Sequence, residues 1–285
     1  MRVRPIEVAG VGNLRFALHC VNRDTTNFAM LRYPGFQGFL VSGQNSGTQW
    51  LKYMLSLAIA AEHGVAPPLY FNNASSNDII GHPRHKRKYP QLPAIASAHS
   101  IPHVALNWRW LRRVAKQPRY VVLVRDMRDV LISNYMKWRE RYGVPFDVYV
   151  AGDPAGKRYI CDVWWYMHFL NRWGKVATRH TDNVLTMRYE DLRVSPAAGI
   201  RTIARHFRIP LSDSSVELAV RGSSKEAMRA REDPHAKETV IRDAGVDDPV
   251  FGAREKAIFD RIIAANLRYD FGYDYGLARA NAETA

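Results

Sequence analysis

The chain has 285 residues, of which 47% are hydrophobic and 24% charged, a composition typical of a soluble globular protein with a buried core. A formal net charge of +14 favours anionic ligands such as phosphorylated cofactors, acidic sugars or lipid headgroups. No zinc-finger, RNP-type or helix-turn-helix motif is present, so we expect no nucleic-acid partner. Only two cysteines, no secretory signal and no apolar run of about 18 residues predict a cytoplasmic protein without disulfides or a membrane-spanning helix.

Strand-like and helix-like segments alternate along the chain. This pattern predicts a three-layer α/β/α fold in which a central parallel sheet is covered by helices. Buried strands are predicted at 39–42, 94–97, 120–124 and 184–187. Helices are predicted at 48–62, 130–141, 159–179, 196–207 and 254–267.

The rest of the chain is predicted to be loops and terminal extensions. The stretches 72–93 and 221–249 are polar and contain prolines, as is typical of long loops that form lids or substrate walls. No repeat or linker divides the chain, which predicts one domain at 39–275. An N-terminal extension at 1–38 is expected to pack on this domain, and residues 276–285 are expected to form a C-terminal tail.

The segment between the first strand and the first helix has the composition of a phosphate-binding turn. Gly43 and Gly47 allow a tight turn whose N–H groups point to one place, and the helix that begins at Thr48 adds positive potential there. Ser46 and Thr48 supply hydroxyl groups. The turn lacks the G-x-x-x-x-G-K-[ST] pattern of a Walker A loop. An ordinary turn of small residues is the alternative interpretation.

Five segments, in the same order along the chain, resemble the motifs of the sulfotransferases that use 3′-phosphoadenosine-5′-phosphosulfate (PAPS). They are QNSGTQW (44–50, resembling P-K-S-G-T-T-W), AHSIP (98–102, T-H-L-P), RDMRDVLIS (125–133, R-D-P-R-D-V-x-x-S), RYEDLRVSP (188–196, Y-E-D-L-x-x-x-P) and SSKEAM (223–228, S-S-F-E-x-M). Each motif alone is weak. Together they are strong, because chance would have to supply both the residue types and their order.

The resemblance implies that a P-loop-like turn binds the phosphosulfate, and that a sulfuryl group moves from PAPS to a hydroxyl or amine by in-line displacement without a metal. It implies His99 as the general base, since a neutral imidazole can accept the proton of the acceptor. Arg125 and Ser133 are implied to hold the 3′-phosphate, with Arg242 as a second guanidinium. The other residues implied to contact the nucleotide are Gln44, Asn45, Ser46, Gly47, Thr48, Gln49, Trp50, Tyr189, Ser223, Lys225 and Met228.

Three positions depart from the family pattern. Asn45 stands where the family has a lysine or arginine, the cation that neutralises the leaving oxygen, and losing such a charge can cost on the order of 10²–10³ in rate. Lys225 replaces an aromatic residue over the adenine, and no tryptophan follows Arg242 in the late R-K-G-x-x-G-x-W motif. The cations that could substitute for the missing charge are Lys52, Lys137, Lys237 and Arg242.

Several alternatives remain open at this point. The chain could be a PAPS-binding relative with little or no turnover, or a P-loop phosphotransferase such as a kinase. Arg125 could instead pair with Asp126 or Asp129, and His103 competes with His99 as the base. A metal site that pairs the two histidines lacks a third ligand.

The acceptor is expected to be a hydroxyl-bearing glycan, lipid or small molecule bound by variable segments at 72–93, 142–158 and 229–250. The basic run at 84–88 indicates an acidic acceptor, peripheral contact with an anionic membrane, or simply a solvated loop without a ligand. Helical spacing predicts that a set of aromatic residues packs in the core rather than against the acceptor. The set comprises Trp108, Trp110, Trp138, Trp164, Trp165 and Tyr166.

Overall fold

A computed structural model describes residues 3–6, 12–26, 35–82, 86–108, 110, 117–235, 241 and 248–278. Its centre is a four-stranded sheet in the order β2-β1-β3-β4, and every neighbouring pair is parallel. The strands are β1 (Gly38–Ser42), β2 (Ile95–Ala98), β3 (Arg119–Val124) and β4 (Val184–Arg188). All four predicted strands are therefore confirmed, with ends that differ from the predictions by at most one residue.

Helices connect and cover the strands, and the five predicted helices are confirmed, four of them with shifted ends. In the described part of the chain, the helices are α1 (Leu14–Thr26), α2 (Thr48–His63), α3 (Asn73–Ser76), α4 (Met127–Tyr142), α5 (Phe146–Ala151), α6 (Val163–Arg179), α7 (Tyr189–Val194), α8 (Pro196–Phe207), α9 (Asp213–Gly222), α10 (Lys225–Arg229) and α11 (Ala253–Asn266).

The two predicted loops were partly wrong, because each contains a short helix. Asn72 accepts a hydrogen bond from the backbone N–H of Ser75 at the start of α3, and Ser224 accepts one from the backbone N–H of Ala227 at the start of α10. These side-chain caps satisfy N–H groups that a first helical turn would otherwise leave unpaired. The polar residues that suggested a loop, among them Asn72 and Ser224, instead cap the starts of short helices.

Both faces of the sheet are buried, and alternate residues point to opposite faces. Phe39, Val41 and Val122 belong to one core, which is completed by α4, α5, α6 and α11. Leu40 and Val121 belong to the other, which is completed by α2, α8 and α9. The sheet thus lies between two helical layers, which confirms the predicted three-layer α/β fold.

Helix α6 is the main support of the first core. Asp162 caps its start by accepting a hydrogen bond from the backbone N–H of Trp165 at 2.9 Å. Trp173 is buried, packs on the Tyr120 ring of β3 at a centroid distance of 5.1 Å, and donates from Nε1 to the backbone oxygen of Ser100 at 2.9 Å. The same side chain therefore joins the sheet to the segment that follows β2.

The described parts of the N-terminal extension lie against the domain. Pro5 pairs with Tyr269 in an isolated antiparallel bridge, and the ring of Phe16 in α1 packs 5.1 Å from that of Trp164. Among the described residues, no helix combines the length and the apolar character that crossing a bilayer requires.

We expect Trp173→Ala to lower the free energy of unfolding by about 3–5 kcal/mol, because it removes a buried ring and leaves a cavity beneath the sheet. Urea denaturation followed by circular dichroism measures this loss. Trp138→Ala, which truncates a half-buried ring on α4, is the control and should cost about 1 kcal/mol or less. Equal losses in the two variants would contradict the central role of Trp173.

Candidate active site

The carboxyl ends of the four strands meet at one edge of the sheet, where chain segments diverge. After β1 the chain continues into α2 on one face, whereas after β3 it continues into α4 on the other face. Such a divergence between neighbouring strands leaves a crevice, the usual ligand site of open α/β sheets. In strand order, the crevice edge carries His99 after β2, the turn 43–47 after β1, Arg125 after β3 and Tyr189 after β4.

The turn at 43–47 has two residues with left-handed backbone. Asn45 has φ 57° and Gly47 has φ 85°. Asparagine tolerates this conformation, and glycine is needed at position 47 for a second reason: a Cβ there would lie 2.4 Å from Cδ2 of Tyr189. Gly47 then caps α2. Left-handed residues that lead into a helix N-terminus form a concave site for an anion.

Tyr166 of α6 holds the turn against the end of β3. Its hydroxyl lies 3.0 Å from Oγ of Ser46, accepts from the backbone N–H of Arg125 at 3.0 Å, and lies 3.1 Å from the Arg125 carbonyl oxygen. A Cβ at position 43 would lie 2.1 Å from Cε2 of this ring, so the ring fits only because Gly43 has no side chain. Sequence reasoning missed this role, since the position of Tyr166 on an apolar helix predicted only core packing.

Arg125 is directed across the turn. Its NH1 donates to the backbone oxygen of Asn45 at 3.1 Å, and its guanidinium carbon lies 5.0 Å from the centre of the Tyr189 ring. The ion pair with Asp129 that the sequence left open is present but long, at 3.4 Å, whereas Asp126 pairs with Arg128 at 2.6 Å. The Nε of Arg125 is buried and has no hydrogen-bond partner within the described residues. This guanidinium therefore retains capacity for an anion.

The side chain of Asn45 anchors the turn to α4. Its Nδ2 donates to Oδ1 of Asn134 at 3.1 Å, and Asn134 in turn donates to the hydroxyl of Tyr149 at 3.0 Å. Asn134 is buried. Its part in the site was also missed, because it lies one residue beyond the motif that contains Ser133.

Glu190 joins the ends of β3 and β4. One carboxylate oxygen accepts from the backbone N–H of Asp126 at 3.2 Å, and the other accepts from the hydroxyl of Tyr273 at 2.6 Å. Asp191 beside it pairs with Arg188 at 2.6 Å. These acidic residues hold the backbone of the site in place.

His99 lies beside the last residue of β1. Its Nδ1 is 3.0 Å from the backbone oxygen of Ser42, a geometry in which Nδ1–H donates and Nε2 carries the lone pair of a neutral ring. Desolvation by surrounding atoms lowers the pKa of His99, the bond to Ser42 opposes this, and the charges of Lys52 and Lys137 lower the pKa further. The residue is nevertheless exposed to solvent, so water moderates the shift. His103 instead accepts from the N–H of Ala105 and caps the 3₁₀ helix Val104–Asn107.

An aromatic pair lies at the other end of the crevice. The rings of Trp50 and Tyr189 meet edge to face at 5.8 Å, and Nε1 of Trp50 donates to the backbone oxygen of Ser223 at 3.0 Å. On α10, which follows, Met228 is buried whereas Lys225 is exposed.

The remaining predicted site residues have varied surroundings. The Gln49 side chain donates to the backbone oxygen of Phe71 at 3.1 Å, and the hydroxyl of Thr48 bonds with that of Ser42. Gln44 is half-buried in the turn, and Ser133 is half-buried on α4. Arg242 and Lys237 lie outside the described residues.

Two lysines bring positive charge near His99. Lys52 is 2% exposed, and its ammonium donates to the side chain of Asn77 and to the backbone oxygen of Asn73. Burial lowers its pKa to about 8. Lys137 is exposed on α4, with its nitrogen 5.2 Å from the centre of the Trp138 ring.

Residues 37–247 match the family model of the sulfotransferase domain, which is well over half of the chain. The chain belongs to the sulfotransferase domain family. A flavonol sulfotransferase-like protein of Flaveria bidentis is 25% identical over 198 residues, which cover 64% of this chain and 60% of that protein. Mouse sulfotransferase 2A6 is 26% identical over 123 residues, which cover 40% of each chain.

The chain thus spans 60% or less of the length of these curated relatives. Among solved structures, mouse sulfotransferase SULT7A1 complexed with PAP is 18% identical and covers 72% of both chains at a TM-score of 0.45. A crystal structure of a putative steroid sulphotransferase of Arabidopsis thaliana is 16% identical and covers 79% of both chains at a TM-score of 0.48.

We expect Tyr166→Phe to lower the free energy of unfolding by about 1–3 kcal/mol, because the N–H of Arg125 loses its acceptor. Under the function proposed below, the affinity for 3′-phosphoadenosine-5′-phosphate (PAP), measured by titration calorimetry, should fall as well, since the turn and Arg125 lose their common support. Tyr135→Phe, which removes a hydroxyl that donates to Val144 away from the turn, is the control for a generic loss of stability. Unchanged PAP affinity in Tyr166→Phe would show that the turn needs no such support.

Proposed function

We propose that this member of the sulfotransferase domain family transfers a sulfuryl group from PAPS to a hydroxyl or amine of an acceptor by in-line displacement. Support comes above all from the order of the strand ends, because His99, the phosphate-binding turn and Arg125 follow three neighbouring strands. The residues that we propose as base, anion site and phosphate ligand thus lie side by side at one edge. Positioning and fixed donors can supply most of the catalysis without a metal.

In this proposal the turn binds the 5′-phosphosulfate through backbone N–H groups and the start of α2. The hydroxyl of Ser46 is engaged by Tyr166, so its backbone N–H is the group that would face the ligand. The buried Nε of Arg125 supports its assignment to the 3′-phosphate, with Ser133 on α4 and Arg242 as further ligands. A planar guanidinium suits phosphate because it can donate two parallel charged hydrogen bonds.

The adenine would bind against the edge of the crevice formed by Trp50, Tyr189 and Ser223. Trp50 and Tyr189 already meet at 5.8 Å, and the Ser223 carbonyl fixes the indole nitrogen. Met228 would support this wall from the core. Lys225, which replaces the aromatic residue of the family, could cover the ring with its aliphatic stem.

In this proposal, His99 is the general base of the transfer step. As the acceptor oxygen attacks the sulfur, Nε2 of His99 takes the acceptor proton, and the bond between sulfur and the bridging oxygen breaks. The electron pair of that bond remains on the 5′-phosphate of the product PAP. The Ser42 carbonyl would hold the ring in the tautomer that exposes the Nε2 lone pair.

The charge that develops on the leaving oxygen needs a cation other than residue 45. The amide of Asn45 is bound to Asn134, so we assign Asn45 to positioning the turn and, through its carbonyl, Arg125. Lys137 on α4 is the substitute cation in this proposal, since its positive charge lowers the pKa of His99 and so reaches the crevice. The ammonium of Lys52 donates to the side chain of Asn77. Lys52 would contribute its charge from a fixed buried position.

A PAPS-binding protein with little turnover is the second candidate function, and the neutral Asn45 is the observation that favours it. A phosphotransferase of the kinase type is less well supported, because the turn lacks the lysine and the spacing of a Walker A loop. The acceptor in our proposal is a hydroxyl-bearing glycan, lipid or small molecule. The scarcity of cysteine makes the cytoplasm the proposed compartment.

Arg125→Ala should weaken PAP binding about 10- to 100-fold and leave AMP binding nearly unchanged, because only PAP carries the 3′-phosphate. Differential scanning fluorimetry and calorimetry with PAP, AMP and ATP measure both affinities. Arg128→Ala is the matched control, since Arg128 lies on the same helix and pairs with Asp126 instead of crossing the turn. Equal losses for PAP and AMP would contradict the assignment of Arg125, and preference for Mg-ATP would favour the kinase alternative.

His99→Gln should lower the transfer rate by about 10²–10⁴ without changing PAP affinity, since general-base catalysis contributes about that factor. Because the pKa of His99 lies below the ordinary 6.5, the ring is neutral at pH 7, and activity should fall only as acidification below pH 6.5 protonates it. Release of PAP from radiolabelled PAPS with acceptor fractions from a cell lysate measures the rate. His103→Gln is the control. PAP binding without turnover in wild type would favour the second candidate function.

A further inference from the structure

Two tryptophans form an exposed stack on the surface, contrary to the core packing predicted for them. Trp108 is 44% exposed and Trp110 is 57% exposed. Their ring centroids are 5.7 Å apart, with an angle of 21° between the ring planes. By contrast, Trp164, Trp165 and Tyr166 are buried as predicted. Large indoles exposed side by side are typical of an interaction surface.

The stack lies at the edge of the sheet opposite the crevice. The backbone N–H of Trp108 donates to the oxygen of Ala105 and so closes the 3₁₀ helix. The carbonyl of Leu106 in that helix bonds with Nε2 of His180, which lies between the end of α6 and the start of β4. In a parallel sheet all strands begin at one edge, and here they end at the crevice. Because His180 lies just before the start of β4, its bond to Leu106 places the tryptophans at the amino-terminal edge.

Arginines are found at the same edge. Arg119 is the first residue of β3, Arg179 is the last of α6, and Arg205 and Arg208 lie at the end of α8. The end of α8 lies at this edge, since its Phe207 ring packs directly on Gly38, the first residue of β1. A Cβ at Gly38 would lie 2.6 Å from that ring. Arg179, Arg205 and Arg208 are exposed.

The acidic side chains near this edge only partly balance these arginines. Asp213 is paired with Arg201 at 2.6 Å, and Glu62 accepts from the backbone and hydroxyl of Ser212, while Asp182 is exposed. The edge therefore combines exposed indoles with an excess of positive charge.

We propose that the Trp108–Trp110 stack and the surrounding arginines form a peripheral contact with the surface of an anionic lipid bilayer. Indole rings favour the headgroup region because they are apolar with one N–H donor, and basic side chains nearby are attracted to anionic lipids. An acidic protein or a nucleic acid would match the charge. A lipid surface matches both the charge and the apolar rings. The two rings stack on each other, so they are not spread apart as they would be if nucleic-acid bases stacked between them.

Bound in this way, the protein would direct the carboxyl edge of its sheet away from the lipid. The nucleotide crevice would then remain open to the aqueous phase. This contact differs from the one that the basic run at 84–88 indicated, and it uses no residue assigned above to nucleotide binding or transfer. Its success or failure is therefore independent of the proposed function.

Sedimentation with lipid vesicles tests the contact. Wild-type protein should bind vesicles of phosphatidylcholine with about a quarter phosphatidylserine, bind phosphatidylcholine alone far more weakly, and lose binding at high salt. The double variant Trp108→Ser/Trp110→Ser should bind about tenfold or more weakly. Arg179→Gln and Arg208→Gln should each weaken binding about fivefold.

Val194→Ser is the matched control, since Val194 is 83% exposed on α7 at the crevice edge and should bind vesicles like wild type. All variants should keep the wild-type melting temperature and PAP affinity, which separates this contact from folding and from the nucleotide site. Quenching of tryptophan fluorescence by brominated lipids should be strong in wild type and reduced in the double variant. The proposal is overturned if anionic vesicles do not bind, if the double variant binds them equally, or if the tryptophans instead support dimerisation or DNA binding.

Discussion

The hydroxyl of Tyr166 connects two chain segments that the sequence separates widely. It lies 3.0 Å from the hydroxyl of Ser46 in the turn and bonds with both the N–H and the carbonyl of Arg125 after β3. Because the group is fully buried, these bonds form in a low dielectric and leave the turn little freedom. The shape of the turn and the position of the Arg125 guanidinium therefore depend on a residue of α6, a helix outside every motif.

The charges of the crevice are arranged differently from the family pattern. At position 45 a neutral asparagine takes a left-handed backbone and bonds with the buried Asn134, so this residue stabilises the turn instead of supplying charge. Positive charge reaches the crevice from Arg125, Lys52 and Lys137. A buried ammonium such as that of Lys52 lowers the pKa of a neighbouring imidazole and so favours its basic form. The two edges of the sheet thus carry positive charge for different purposes in our proposals.

Local pattern was sufficient to predict most of the regular structure. Short apolar runs such as Tyr120–Val124 predicted the strands, since a strand buried on both faces must be apolar throughout. The long helices were equally readable, and α8 begins and ends where predicted. The short helices α3 and α10 were missed, because the polar residues that cap a helix also occur in loops. The exposure of Trp108 and Trp110 was missed as well, since apolar character alone does not say which side of the fold a loop residue faces.

By itself, the sequence determined the fold class, the tight turn between β1 and α2 and the order of the family motifs, because each depends on residues close together in the chain. Tertiary structure alone decided that His99 lies beside Ser42, since this depends on β2 pairing with β1 rather than with β3. It also decided that Tyr166 and Asn134 support the turn from 120 and 89 residues away. Contacts of this kind depend on which strands pair and which helix covers which face, and no local pattern records that choice.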